Sequence, residues 1–231
     1  MSHLALPVRR ARAALAALLL AAVPLAGGEL AAQQPAAAAR LESRLDPATF
    51  AAVERVLDSA RIAGLPADPL VDRALEGASK RAPGQLIVSA VRSLLADLGR
   101  ARASLGAASR TDELTAGTEA LRAGVKPDDL RRFRRERPSE RLTVPLGVLA
   151  DIVSSGVPVD VATKTVLDLT RAGAADELLV AFRRDVERDI GVGAPPATAA
   201  TLRAISANVS LSTDGSGGIG PRVLAPKRQK P

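Results

Sequence analysis

Between about residues 46 and 206, apolar side chains recur at spacings of three and four, the period of an amphipathic helix. Phe50, Val53, Leu57 and Ala60 make the first stripe, with Asp46 placed as N-cap and Pro47 at the first helical position. Leu70, Ala74 and Ala78 follow Asp68-Pro69, and Ile87, Val91, Leu94 and Leu98 give the clearest stripe. Thr111-Asp112-Glu113 is a helix start ahead of Leu114, Thr118 and Leu121. Leu130 and Phe133 mark a short helix. Val148, Ile152 and Ser155 follow Pro145, which fits a first turn or a kink in a longer helix. Ala162, Val166 and Leu169 form a stripe, as do Leu179, Phe182, Val186 and Ile190; Ala199, Leu202 and Ile205 close the set. No segment alternates at period two, so strands are not expected. The pattern predicts an all-α fold of eight or nine short helices in a domain over residues 46–205.

Punctuation between the stripes is repetitive. Ala63-Gly64-Leu65-Pro66, Ala123-Gly124-Val125-Lys126-Pro127, Ser155-Gly156-Val157-Pro158 and Val192-Gly193-Ala194-Pro195-Pro196 all place Gly, then an apolar residue, then Pro. Gly suits the left-handed position after a helix, the apolar residue folds back on the last turn, and Pro suits the next helix start. Three units with internal breaks at Arg81-Ala82-Pro83-Gly84, Glu136-Arg137-Pro138-Ser139 and Arg171-Ala172-Gly173-Ala174 can be laid side by side. Leu94-Leu95-Ala96-Asp97-Leu98 and Val148-Leu149-Ala150-Asp151-Ile152 then fall at comparable places. Two readings fit: a degenerate repeat of αα-hairpins, or one helix-ending chemistry used several times.

The ends differ from the middle. Arg9, Arg10 and Arg12 precede the uncharged run Ala13 to Ala26, and Leu30-Ala31-Ala32-Gln33 offers small residues for cleavage. This is the layout of a secretory signal peptide over residues 1–32. The run has 14 residues, short of the roughly 20 that span a bilayer, so an uncleaved anchor is the lesser reading and no transmembrane span is expected in the mature chain. Residues 33–45 read as an Ala/Gln/Pro leader with a short helix around Leu41. Residues 206–231 read as a flexible, disordered tail: Gly-rich around 215–220, then basic at Arg222, Lys227, Arg228 and Lys230.

Composition narrows the chemistry. The chain of 231 residues has no Cys, Trp or Tyr, and its one histidine, His3, lies in the signal segment. A processed chain lacks His and Cys altogether, which excludes His-based triads, thiol chemistry, disulfides and Cys/His zinc sites. Processing removes three arginines and one glutamate, lowering the net charge from +7 to +5. Asp185 and Asp189, with Glu187 between them, are explained by ion pairs to Arg183, Arg184 and Arg188. No calcium loop, Ser-x-x-Lys or Gly-x-Ser-x-Gly occurs, and the Gly-rich run near 215 lacks the flanking strand and helix of a phosphate loop. No catalytic residue, metal or cofactor is expected.

One local feature stands out. Arg131, Arg132, Arg134, Arg135, Arg137 and Arg141 put six arginines within 11 residues. A helix there turns Leu130 and Phe133 inward and fans the arginines over its surface, a candidate site for phosphates, anionic head groups or an acidic protein. The competing reading is a solvated face, since Asp128, Asp129, Glu136 and Glu140 are local partners and the charge order suits the helix dipole. Nucleic acid is not expected as a partner, because export and the lack of stacking aromatics argue against it.

The signal region and the repeated Gly-apolar-Pro junctions resemble uncharacterised exported all-α proteins of GC-rich bacteria. That resemblance covers most of the chain and implies no activity or site. The leading expectation is a non-enzymatic exported protein, periplasmic or extracellular, that binds or scaffolds another cell-envelope protein. Peripheral binding to an anionic surface through the arginine cluster and tail is the first alternative. A His-free hydrolase built on two carboxylates is the second.

Overall fold

The computed structural model describes residues 38–215. The expected signal segment and the tail from residue 216 onward lie outside the described residues. Every regular element described is a helix, and no strand occurs among the described residues. A helical segment over 38–42 (α1) precedes α2 (Pro47–Ile62), α3 (Asp68–Ser79), α4 (Gly84–Leu105), α5 (Thr111–Arg122), α6 (Pro127–Glu136), α7 (Thr143–Ser154), α8 (Val159–Arg171), α9 (Asp176–Gly191) and α10 (Pro196–Gly215).

The boundaries follow from local chemistry. Asp46 accepts the N–H groups of Ala48 and Thr49 at 3.1 and 3.0 Å, so the expected cap of α2 is in place. Pro145 sits in the first turn of α7, where its missing N–H costs nothing. Six helices end alike, with a left-handed residue followed by an N–H that bonds five residues back. Val125 N–H reaches Ala120 O at 3.0 Å, Val157 N–H reaches Ile152 O at 3.0 Å, and the same bond closes α2, α3, α8 and α9. Gly156, at φ 96°, shows why the sequence writes Gly there. Arg81, at φ 55°, makes the same turn without a glycine.

Short connections join the helices, which stack in two layers. One layer runs α2, α4, α6, α8, α10, each packing on the next; the other runs α5, α7, α9. Rungs such as α3 on α4, α4 on α5, α7 on α8 and α9 on α10 join them. This is the neighbour-to-neighbour order of a helical array. The three units laid side by side in the sequence are out of phase with it. The Asp97 segment lies in the first layer and the Asp151 segment in the second, where Asp151 is exposed while Asp97 is buried.

Two apolar clusters fill the space between layers. One gathers Leu41, Val53, Leu70, Val91, Leu98 and Leu114; the other gathers Phe133, Leu146, Leu149, Ile152, Leu169 and Phe182. Half-buried Leu121 packs against both. Each fully buried large side chain contributes about 1.5–3 kcal/mol. Small residues set the spacing. A Cβ on Gly117 would lie 2.9 Å from Leu105 Cδ1 and 3.3 Å from Leu130 Cδ2, so α5 approaches α4 and α6 closely there.

Two expectations change at the C-terminal end. Helix α10 continues to Gly215 rather than ending near 205, so residues 206–215 belong to the domain and not to a tail. Its buried face is also not the expected one. Ala199, Ala200, Ala204 and Ala207 face the core, while Leu202 and Ile205 are 58% and 55% exposed. An alanine face lets α10 lie close on α8 and α9, and this turns the bulkier stripe to solvent.

Candidate functional site

The arginine segment is built on α6. Lys126 is extended, Pro127 opens the helix, and Asp128 and Asp129 occupy the first turn with Arg134 and Arg135 in the last, the order the helix dipole favours. Leu130 and Phe133 are fully buried, as expected, and this fixes the helix's rotation. The six arginines then separate. Arg131 pairs with Asp128, and Arg132 Nη1 meets Asp129 Oδ1 at 3.1 Å, both within one turn of exposed surface. Arg135 and Arg141 are exposed and have no ion-pair partner among the described residues.

Arg134 and Arg137 turn inward instead. Arg134 Nη2 donates to Glu113 Oε1 at 2.7 Å, and its Nη1 reaches the carbonyls of Arg137 and Glu140 at 3.2 and 3.0 Å. Arg137 is 7% exposed; it donates to Ala174 O and, at 3.1 Å, to Asp176 Oδ1. One guanidinium thus folds the α6–α7 connection onto α5, and the other ties it to the α8–α9 connection. The structure does not bring the six arginines together as one anion site.

Glu113, 3% exposed, is the acid at the centre of this arrangement. Besides Arg134 it accepts Leu142 N–H at 2.9 Å and Arg110 N–H at 3.1 Å. Burial pushes its carboxyl up, but the Arg110 N–H, the Arg134 guanidinium and the Leu142 N–H outweigh that, and the group is held below its ordinary value. Sequence reasoning took Glu113 only as part of a helix start. Its reach back to residue 110 is the readable capping signal, whereas its contacts to Arg134 and Leu142 exist only in the fold. Asp97 was likewise missed. It is buried in α4 and held by Arg100 and, at 2.8 Å, by Arg122 of α5.

Beside the exposed side of α6 lies a groove of about 800 Å³ between α6 and α8. Its rim carries both signs of charge. Arg132 with Asp129 and Lys164 with Asp168 are paired, whereas Lys126 and Asp160 have no ion-pair partner among the described residues. On its wall the Thr163 hydroxyl is buried and makes no hydrogen bond, in a residue 7% exposed. Sequence reasoning did not find this groove, because it needs α6 and α8 side by side.

The Asp185, Glu187 and Asp189 carboxylates of α9 are engaged in ion pairs. Arg203 grips Asp189 through two 2.7 Å bonds and joins α10 to α9, Arg188 holds Asp185, and Arg183 lies between Asp151 and Glu187. The Arg203 bonds, working against partial burial, hold the Asp189 carboxyl below its ordinary value. Among the described residues no three His, Cys, Asp or Glu side chains cluster as metal ligands, and no helix is long and apolar enough to cross a membrane.

Fold and site together define an all-α protein with helices stacked in two layers and a polar groove opening in one of them. No protein-family model, curated protein or solved structure matches the chain.

Proposed function

We propose that the protein is a non-enzymatic, exported module of the cell envelope that holds a polar segment of a partner protein in the groove between α6 and α8. The observation that carries this reading is the groove itself, whose lining holds the unpaired Lys126 and Asp160 beside the Arg132–Asp129 and Lys164–Asp168 pairs. An extended segment brings backbone donors and acceptors to the wall and side chains of both signs to the rim. Helical arrays offer such faces as part of their architecture. Export rests on the basic-then-apolar N-terminal layout.

The absence of cysteine makes the test direct, since a single introduced thiol is unique. Lys164→Cys on the groove rim, carrying a maleimide photo-crosslinker, is expected to form one discrete adduct in the native envelope fraction. The paired reversal Lys126→Glu and Asp160→Lys should abolish that adduct. An adduct that survives the reversal, or none at all, overturns the groove reading. The intact mass of the same sample reads export, with about 32 N-terminal residues missing from a processed chain.

A second reading, attachment to an anionic surface, is favoured by Arg135 and Arg141, which are exposed and unpaired.

A further inference from the structure

Six helix ends share one left-handed turn, and five of them place glycine there: Gly64, Gly124, Gly156, Gly173 and Gly193. The sixth, after α3, places Arg81 there at φ 55°. A side chain in that conformation costs free energy that glycine does not. A cation at the end of α3 suits the helix dipole. Lys80 already supplies one, and the dipole gives no reason to choose arginine over glycine in a left-handed turn. Arg81 is exposed and has no ion-pair partner among the described residues.

Its neighbours in the chain, Lys80 and Ala82, both line a notch of about 300 Å³ between α3 and α4. Ile87 and small residues make the apolar part of the notch, and Leu86, 62% exposed, belongs to the same lining. The charged side chains of the lining are Arg73, Glu76 and Lys80. Glu76 is shared: Arg73 Nη1 meets its Oε2 at 2.7 Å, and Lys80 Nζ meets its Oε1 at 2.5 Å. One carboxylate against two cations leaves this rim with an excess of positive charge, and Arg81 adds to it.

We propose that the α3–α4 notch is a docking site for an acidic segment of a partner protein, which inserts one large apolar side chain. The apolar lining with Leu86 takes the anchor, and Lys80 and Arg81 supply the countercharge for carboxylates flanking it. The volume suits an anchor of this size and lies at the lower limit for a small-molecule pocket. The same rim repels a basic segment. The left-handed arginine then has a reason: its charge serves binding at some expense to the fold. The notch is built from α3 and α4 and the proposed groove from α6 and α8, so this inference goes beyond the groove reading and does not rest on it.

Fluorescence anisotropy of the full chain with three short labelled peptides tests this. One is rich in glutamate around a central leucine pair, one has lysine for each glutamate, and one has alanine for each leucine. The first is expected to bind wild type, and the other two at least about tenfold more weakly. Leu86→Glu should weaken the first peptide by a similar factor. Arg81→Gly relieves the left-handed turn, so its urea midpoint should rise while its affinity for the first peptide falls about two- to fivefold. A residue kept for the fold alone would not move the two readouts in opposite directions. If Leu86→Glu does not fold, Arg81→Gly decides alone. The proposal is overturned by wild-type affinity in Arg81→Gly or in a folded Leu86→Glu, by equal binding of the three peptides, or by no binding of the first peptide at high micromolar concentration. Anionic-lipid vesicles that bind wild type and release Leu86→Glu, with no peptide bound, also overturn it in favour of a membrane surface.

Discussion

The inner and outer sides of α6 are made from the same residue type, yet the arginines on them do different things. On the outer side, Arg131 and Arg132 pair with acids three residues back in their own helix, with 46% and 56% of the side chain exposed. On the inner side and just beyond it, Arg134 and Arg137 have 21% and 8% of the side chain exposed and reach Glu113, Asp176 and the carbonyl oxygens of two connections. Exposed pairs within a helix contribute about 0.3–0.5 kcal/mol and are screened by salt. Hydrogen bonds to charged groups contribute about 1.5–3 kcal/mol, and removing one partner of a buried pair costs more. A run of arginine is therefore a poor unit of function. Helical phase and whatever stands opposite each side chain divide it.

Removing an inner partner should have the largest effect. Glu113→Ala leaves Arg134 and the N–H groups of Arg110 and Leu142 without their acceptor and is expected to cost about 3–5 kcal/mol, read as a lower urea midpoint. Glu113 also predicts a pH dependence. Its folded pKa lies below its ordinary value of 4.5, so the unfolded chain binds the proton first as pH falls. The stabilisation is complete above 4.5 and is lost as pH drops through the folded value. In Glu113→Gln the deficit relative to wild type should therefore narrow below that value. A deficit constant from neutral to acid pH would show that shape, and not charge, is what Glu113 contributes.

Arg134→Lys sharpens the comparison with a smaller change, because charge is kept and the fork is lost. A lysine ammonium has no planar array with which to hold Glu113 on one nitrogen and the Arg137 and Glu140 carbonyls on another. The expected loss is about 1–2 kcal/mol, between that of Glu113→Ala and that of an outer-face change. A lysine variant as stable as wild type would mean that position 134 contributes charge alone.

Much of this was legible in the sequence, and the parts that were not share a cause. The Asp46 cap, the Pro145 first turn, the Gly-apolar-Pro junctions and the inward Leu130 and Phe133 depend on neighbours within a few residues. The layer order and the groove depend on which helices lie side by side, and spacing along one chain does not carry that. Arg81 escaped because its turn is left-handed without the glycine that advertises it. Helix α10 was read with the wrong face inward because hydrophobic bulk favours Leu202 and Ile205, whereas close packing on α8 and α9 favours the alanines. Within the arginine cluster, Asp128 and Asp129 were readable as local partners, but Glu113 and Asp176 are 21 and 39 residues away from the arginines they bind.

The smallest expected effect on stability is at the outer side of α6. Replacing Arg131, Arg132, Arg135 and Arg141 together by Gln removes two helical pairs and two unpaired charges. Each change should shift unfolding by no more than about 0.5 kcal/mol, and losing the unpaired Arg135 and Arg141 reduces self-repulsion in a basic chain. The same variant separates the two readings of function. If the outer arginines hold an anionic surface, vesicles with anionic lipid bind wild type in a salt-sensitive manner and release the variant. Vesicle binding equal in both proteins removes the arginine face from that role. A fall in stability comparable to that of Glu113→Ala would collapse the distinction between the two sides of α6, because it would mean that the exposed arginines also hold the fold.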